Sequence, residues 1–177
     1  MTEVKAGIGS VNATAAALLG LLHARPMTGG QLVSAAGQRF GTFFSVTRSQ
    51  VYRELPALAQ AGLLELGEQG PRASQQYVLT PAGKRAFKAW LLSAEGADQL
   101  RSPLILRLRH AELLTVRQRR ALITRGRAAY TERLAEAQAA MTTAADNGSS
   151  PYDRVIAEFA VAHNRAVLAL LEAIPTE

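Results

Sequence analysis

Cysteine is absent from this chain of 177 residues. That excludes disulfides, thiol nucleophiles and thiolate metal sites. Aromatic residues make up only 6% of it, with a single tryptophan, Trp90. No apolar run approaches the roughly 18 residues a membrane helix needs. The N-terminal segment has an apolar stretch but only Lys5 against Glu3 ahead of it, a poor match to a secretory signal. A cytoplasmic protein is the simplest expectation. Acid is missing in one place above all: between Val4 and Arg53 there is no Asp or Glu.

What is present is uneven. Residues 1–92 carry nine Lys/Arg against four Asp/Glu, and residues 93–177 carry eleven against ten. Most of the net charge of +6 therefore belongs to the first half. A basic surface attracts phosphates and steers encounter with nucleic acid. With 48% hydrophobic residues the chain can bury a core.

Periodicity predicts a mainly helical chain with one small hairpin. Residues 1–11 read as a loose arm. Asn12 or Thr14 caps a first helix to about His23, and Leu18, Leu19 and Leu22 face inward. Thr28-Gly29-Gly30 turns into a short second helix, and Phe40, Phe43 and Phe44 read as core plugs. Thr47-x-x-Gln50 is a capping box opening a third helix, and Gly62 is its stop. Val51, Leu55 and Leu58 form its buried stripe. Arg48, Ser49, Tyr52, Arg53 and Pro56 fall on the other side, a face that suits base edges and phosphates. Pro56 implies a kink there or two short turns. Leu63–Glu68 and Gln75–Leu79 read as strands, with Arg72 at the connecting tip. Thr80-Pro81 opens a fourth helix with Phe87, Trp90 and Leu91 as its apolar positions.

Gly96 and its polar neighbours mark a boundary. Ser102-Pro103 opens a helix to about Leu114. Thr115-x-x-Gln118 is a second capping box, opening a helix to about Asp146. Ile123, Tyr130, Leu134, Ala137 and Met141 give that helix a heptad-like seam. A last helix from Ser150-Pro151 repeats Ile156, Phe159, His163, Val167, Leu170 and Ile174. Such seams need a partner, and a second copy of the chain is the expected one, the alternative being that the helices fold back on the N-terminal domain.

The fold class expected is therefore a winged helix-turn-helix plus a C-terminal α-helical dimerisation domain. Its parts are the arm (1–11), the DNA-binding domain (12–95) and the dimerisation domain (96–177). Candidate DNA contacts are Arg48, Ser49, Gln50, Tyr52, Arg53, Arg72 and Lys84. Trp90, with Phe87, is a weaker candidate for an effector site, since a flat ring stacks on planar ligands. Neither a catalytic constellation nor a metal or cofactor site is expected: His23, His110 and His163 lie on separate helices without ligand spacing, and no phosphate-cradling glycine loop is present.

The motifs carry a resemblance to the PadR family of transcriptional regulators. Leu19-Gly20-Leu21-Leu22 with Pro26-Met27-Thr28-Gly29 and Leu32 resembles the family's opening. Ser49-Gln50-Val51-Tyr52-Arg53, then Leu55, Leu58 and Gly62-Leu63, resembles its recognition helix. Tyr77-x-Leu79-Thr80-x-x-Gly83 with Trp90 resembles its second wing strand and fourth helix. The chain departs from the pattern at Thr28, often His in the family, at Gly30, usually Tyr, and at Pro56. The resemblance implies a dimeric repressor on an inverted-repeat operator, released by a small, often aromatic, effector. A protein-interaction adaptor built on the same winged fold is the alternative.

Overall fold

The computed structural model describes residues 11–41, 43–70, 74–93, 101–146 and 150–175. Arg72, Gly96 and the arm before Val11 lie outside these residues. The chain divides into two compact units, Met1–Ala97 and Asp98–Glu177.

The first unit is built around helix α1 (Ala13–Ala24), whose N-cap is Asn12, its side chain accepting from the Ala15 amide at 2.9 Å. Leu18, Leu19, Leu21 and Leu22 are all buried, so apolar residues cover most of its circumference and it runs through the core. Helices α2 (Gly29–Phe40) and α3 (Arg48–Gln60) pack on it with Leu32, Val51 and Leu55, none of which is exposed. Each such side chain contributes roughly 1.5–3 kcal/mol by leaving water. Phe40 and Phe44 border this core as expected, but Phe43 is 48% exposed and is not one of its plugs.

Strands β2 (Leu64–Gly70) and β3 (Ser74–Leu79) form the antiparallel hairpin. Its register shifts between Leu66 and Gln69, where β2 is irregular. A third strand, β1 (Met27–Thr28), pairs antiparallel with β3, placing Met27 opposite Tyr77 and giving the order β1-β3-β2. Two residues carry no readable period, which is why the sequence did not announce it. Helix α4 (Pro81–Leu91) follows with Thr80 as cap and Pro81 in its first turn. Phe87 packs on the core, whereas Leu91 is 59% exposed.

The second unit is helical. Helix α5 (Pro103–Arg109) ends earlier than the expected Leu114, because the chain tightens into a 3-10 turn at Ala111–Leu113. Helix α6 (Val116–Asp146) has 31 residues, a length of about 46 Å at 1.5 Å per residue. The Thr115/Gln118 capping box at its start is present, with the Thr115 amide donating to Gln118 Oε1 at 2.9 Å. Helix α7 (Pro151–Ala173) runs antiparallel to it: Leu122 and Tyr130 on α6 join Val167 and Leu171, while Leu134, Ala137 and Met141 join Ala160 and Val161. Arg127 reaches across to donate to the Leu171 carbonyl at 3.2 Å, meeting one of the unpaired carbonyls of the last turn of α7.

The α6 seam is thus filled by α7 of the same chain. The stripe expected on α7 is divided. Val167 is buried against α6, whereas Ile156 (54%), Phe159 (59%) and Leu170 (40%) are exposed. Asn164, at 2% exposure, sits on the inner face and donates to the Ala160 carbonyl at 2.8 Å.

Candidate nucleic-acid interface

Helix α3 is fixed at both ends by its own sequence. At its start the Thr47 hydroxyl accepts from the Gln50 amide at 3.3 Å and Gln50 Oε1 accepts from the Thr47 amide at 2.8 Å, a complete capping box. The Gln50 carbonyl oxygen is occupied there, so this residue positions the helix before it can touch a base. At the other end Gly62 takes φ +71°, its amide donating to Ala59 and that of Leu63 to Leu58. Those two bonds are a Schellman stop, which favours glycine at this position. The helix runs through Pro56 from Arg48 to Gln60. Proline has no N–H, so the Tyr52 carbonyl lacks the usual donor four residues on. Both residues are on the exposed side of the helix.

Arg48, Ser49, Tyr52 and Arg53 are all exposed, on the face opposite Val51, Leu55 and Leu58. The Arg48 guanidinium carbon lies 5.5 Å from the centre of the Tyr52 ring, within cation–π range. The same ring lies along the start of α2. A Cβ at Gly29 would meet it at 3.0 Å, and the phenol oxygen at 3.2 Å. Tyr52 therefore spans the two helices of the helix-turn-helix and holds Arg48 above them. The Ser49 hydroxyl is 3.1 Å from that of Thr47, outside the buried stripe.

Arg53 is 69% exposed but not free. Its Nη2 meets Glu54 Oε1 at 3.2 Å, and Glu54 itself is only 13% exposed. The other Glu54 oxygen accepts from Asn12 Nδ2 at 3.4 Å. Glu54 ties the start of α1 to the outer face of α3, a role the sequence reading missed. The signal was present: it is the first acid after the long acid-free stretch and lies one position from the buried Leu55. A pair with one partner so exposed is worth at most about 1 kcal/mol, so Arg53 can exchange it for a phosphate.

Lys84 is exposed in the first turn of α4. Phe87 and Trp90 stack at 6.5 Å with ring planes 9° apart. Phe87 also closes on α1, where a Cβ at Gly20 would meet its ring at 3.0 Å. It packs the core, and Trp90, half-buried, rests on it.

Three helices around one core, the third capped and polar outward, with a hairpin after it, define a winged helix-turn-helix of the DNA-binding type. Residues 18–89, the stretch that holds the helix-turn-helix and the hairpin, match the transcriptional regulator PadR-like family. The negative transcriptional regulator PadR of Bacillus subtilis (strain 168) is 33% identical over 79 residues, 43% of this chain and 43% of that protein. The aligned stretch thus spans less than half the length of that relative. Over a longer stretch the similarity is one of fold. Bacillus subtilis PadR in complex with operator DNA gives a TM-score of 0.75 at 22% identity, covering 89% of this chain and 93% of that one. The complex of PadR with p-coumaric acid gives 0.68 at 22% identity, covering 89% and 94%.

Proposed function

We propose that this protein is a dimeric, sequence-specific DNA-binding repressor that leaves its operator when a small aromatic acid binds. The observation that carries the DNA part is α3: a helix capped at both ends, turning Arg48, Ser49, Tyr52 and Arg53 outward from a buried stripe. Arg48 is the base reader on this account. Tyr52 holds it from below, and a guanidinium so placed can make the paired bonds that guanine offers in the major groove. Arg53, Ser49 and Lys84 take phosphates, and Arg72 at the wing tip does the same beside the duplex. Gln50 contributes by fixing the helix start. Residues 12–95 form the DNA-binding domain, and 96–177 the helical domain that joins two copies.

Support for the effector part comes from relatives: Bacillus subtilis PadR, a negative regulator, has been seen with operator DNA and with p-coumaric acid. Trp90 reports on it if it borders that site. Phe87, committed to the core, is the weaker partner.

Selection from a random pool of duplexes, using purified protein at moderate salt, tests the reading. An enriched inverted repeat with half-sites about one helical turn apart, roughly 34 Å, is the expected result for a dimer with two recognition helices. Enrichment of no sequence by folded protein, with or without p-coumarate, would favour a protein-interaction adaptor instead.

A further inference from the structure

One carboxylate stands in the whole stretch from Val4 to Leu64. It is Glu54, set against Lys5, Arg25, Arg39, Arg48 and Arg53. A face that meets phosphates is weakened by an acid, yet this one lies on the recognition helix beside one of its arginines.

Its setting is specific. The Glu54 side chain is 13% exposed and that of Arg53 69%. Glu54 Oε1 accepts from Arg53 Nη2 at 3.2 Å, and Oε2 accepts from Asn12 Nδ2 at 3.4 Å. Asn12 is itself fixed, because its Oδ1 caps α1 by accepting from the Ala15 amide at 2.9 Å. An amide anchored on another helix therefore holds the carboxylate in place, and the guanidinium is the exposed, movable member of the pair. Arg53 has two alternatives, Glu54 or a phosphate. Bridging both would bring two anions together. When Arg53 leaves, Asn12 still donates to one Glu54 oxygen, so the carboxylate is not left without a partner.

We propose that Glu54 limits the protein's grip on DNA by competing with phosphate for Arg53. This rests on the reading of α3 as the DNA-facing helix. Phosphates carry no sequence information, so the limit falls on all duplexes alike. It keeps the chain from being held by DNA in general, while base contacts still distinguish the operator. Glu54 acts through Arg53 and is a positioning residue.

The test compares the full-length parent, Glu54→Gln, Arg53→Ala and the double variant. Fluorescence anisotropy follows their binding to a labelled duplex of random sequence, and to the duplex enriched by selection, at several salt concentrations. Glutamine removes the charge and keeps an oxygen for Asn12. Glu54→Gln should bind both duplexes about two- to fivefold more tightly than the parent, the scale of an exposed ion pair. The gain should shrink as salt rises, and most of it should vanish in the Arg53→Ala background. Asn12→Ser keeps a cap for α1 but takes the amide from Glu54, which then holds Arg53 more firmly. That variant should weaken binding to both duplexes. Helical circular dichroism checks that each variant is folded. A residue that merely joined two helices would give no gain on Glu54→Gln. Folded Glu54→Gln that binds no more tightly than the parent would overturn the proposal, as would tighter binding by Asn12→Ser. So would an equal gain without Arg53, because the carboxylate would then repel phosphate directly. A parent that binds neither duplex at any salt would remove the regulator reading and this inference with it, whereas a parent that binds DNA while Glu54→Gln gains nothing would remove the inference alone.

Discussion

Two glycines in neighbouring motifs invite opposite outcomes from the same substitution. Gly83, in the first turn of α4, is buried where α4 passes the start of the wing. A Cβ there would run into the backbone oxygen of Leu63 and come within 2.6 Å of Leu79 Cδ1. Backbone cannot swing aside as a side chain can. The Thr80 hydroxyl fixes it further, donating towards the Gly62 and Leu63 carbonyls at 2.8 and 3.0 Å. Alanine gains up to about 1 kcal/mol of helix propensity, but overpacking costs roughly 1–3 kcal/mol. Gly83→Ala is expected to lower the thermal midpoint by several degrees. At Gly30, in α2, nothing lies within 4 Å of a new Cβ, so Gly30→Ala should add about 0.5–1 kcal/mol of stability and raise the midpoint. A thermal melt of the pair checks both signs.

At the interface the residues separate by how they are held. Arg48 is braced on Tyr52, and Arg53 is tied to Glu54. If Arg48 reads a base, Arg48→Ala should cost about 1–3 kcal/mol of operator affinity and relax preference at one position. Arg53→Ala should weaken all duplexes alike and reduce the salt slope by about one. Binding isotherms at several salt concentrations separate the two, and identical behaviour of both variants would contradict the division. The outward face was legible in the sequence because position on a helix follows from a fixed angle per residue. Glu54 was not, because its partner Asn12 lies 42 positions away and only the fold brings them together.

At the scale of elements, α3 keeps a proline in its ninth position without ending. The buried stripe explains this: Val51, Leu55 and Leu58 hold the helix from the core side, while Pro56 and the carbonyl it deprives face outward. The strain is real nonetheless, since proline in a helix interior costs about 3 kcal/mol relative to alanine. Part of that is returned by the stiffer unfolded chain, about 0.4–1 kcal/mol. Pro56→Ala should therefore stabilise the first unit by about 2 kcal/mol, moving the urea midpoint up with an unchanged slope. A midpoint that falls would mean the helix is shaped around the ring. Capped helices and the hairpin were readable from Thr47, Gly62 and Thr80 because caps act within a few residues. Strand β1 and the early end of α5 were not, since both answer to contacts rather than to local pattern.

For the whole molecule, the heptad-like spacing on α6 and α7 was correctly seen and its use partly misplaced. Spacing shows that a face is apolar, not which chain covers it. Within the chain α7 covers α6, and a second stripe on α7 is exposed among the described residues: Tyr152, Val155, Ile156, Phe159 and Leu170. At 100° per residue these five fall within about 100° of one another, next to the face that Ala160, Val167 and Leu171 bury. A helix with two adjacent apolar faces, one of them filled, is what a dimer formed through this unit requires. If two copies join through this stripe, as proposed, the protein should sediment as a dimer, and Ile156→Arg with Phe159→Arg should make it a folded monomer while circular dichroism keeps its helical signal. Glu158→Arg, also exposed but about 120° from the middle of the stripe, should not. The monomer should still bind a single half-site weakly. It should lose most of its affinity for the inverted repeat, because linking two half-site contacts raises overall affinity by about 10²–10⁴ without any new contact. A doubly substituted protein that remains dimeric would place the subunit contact on another surface of the chain.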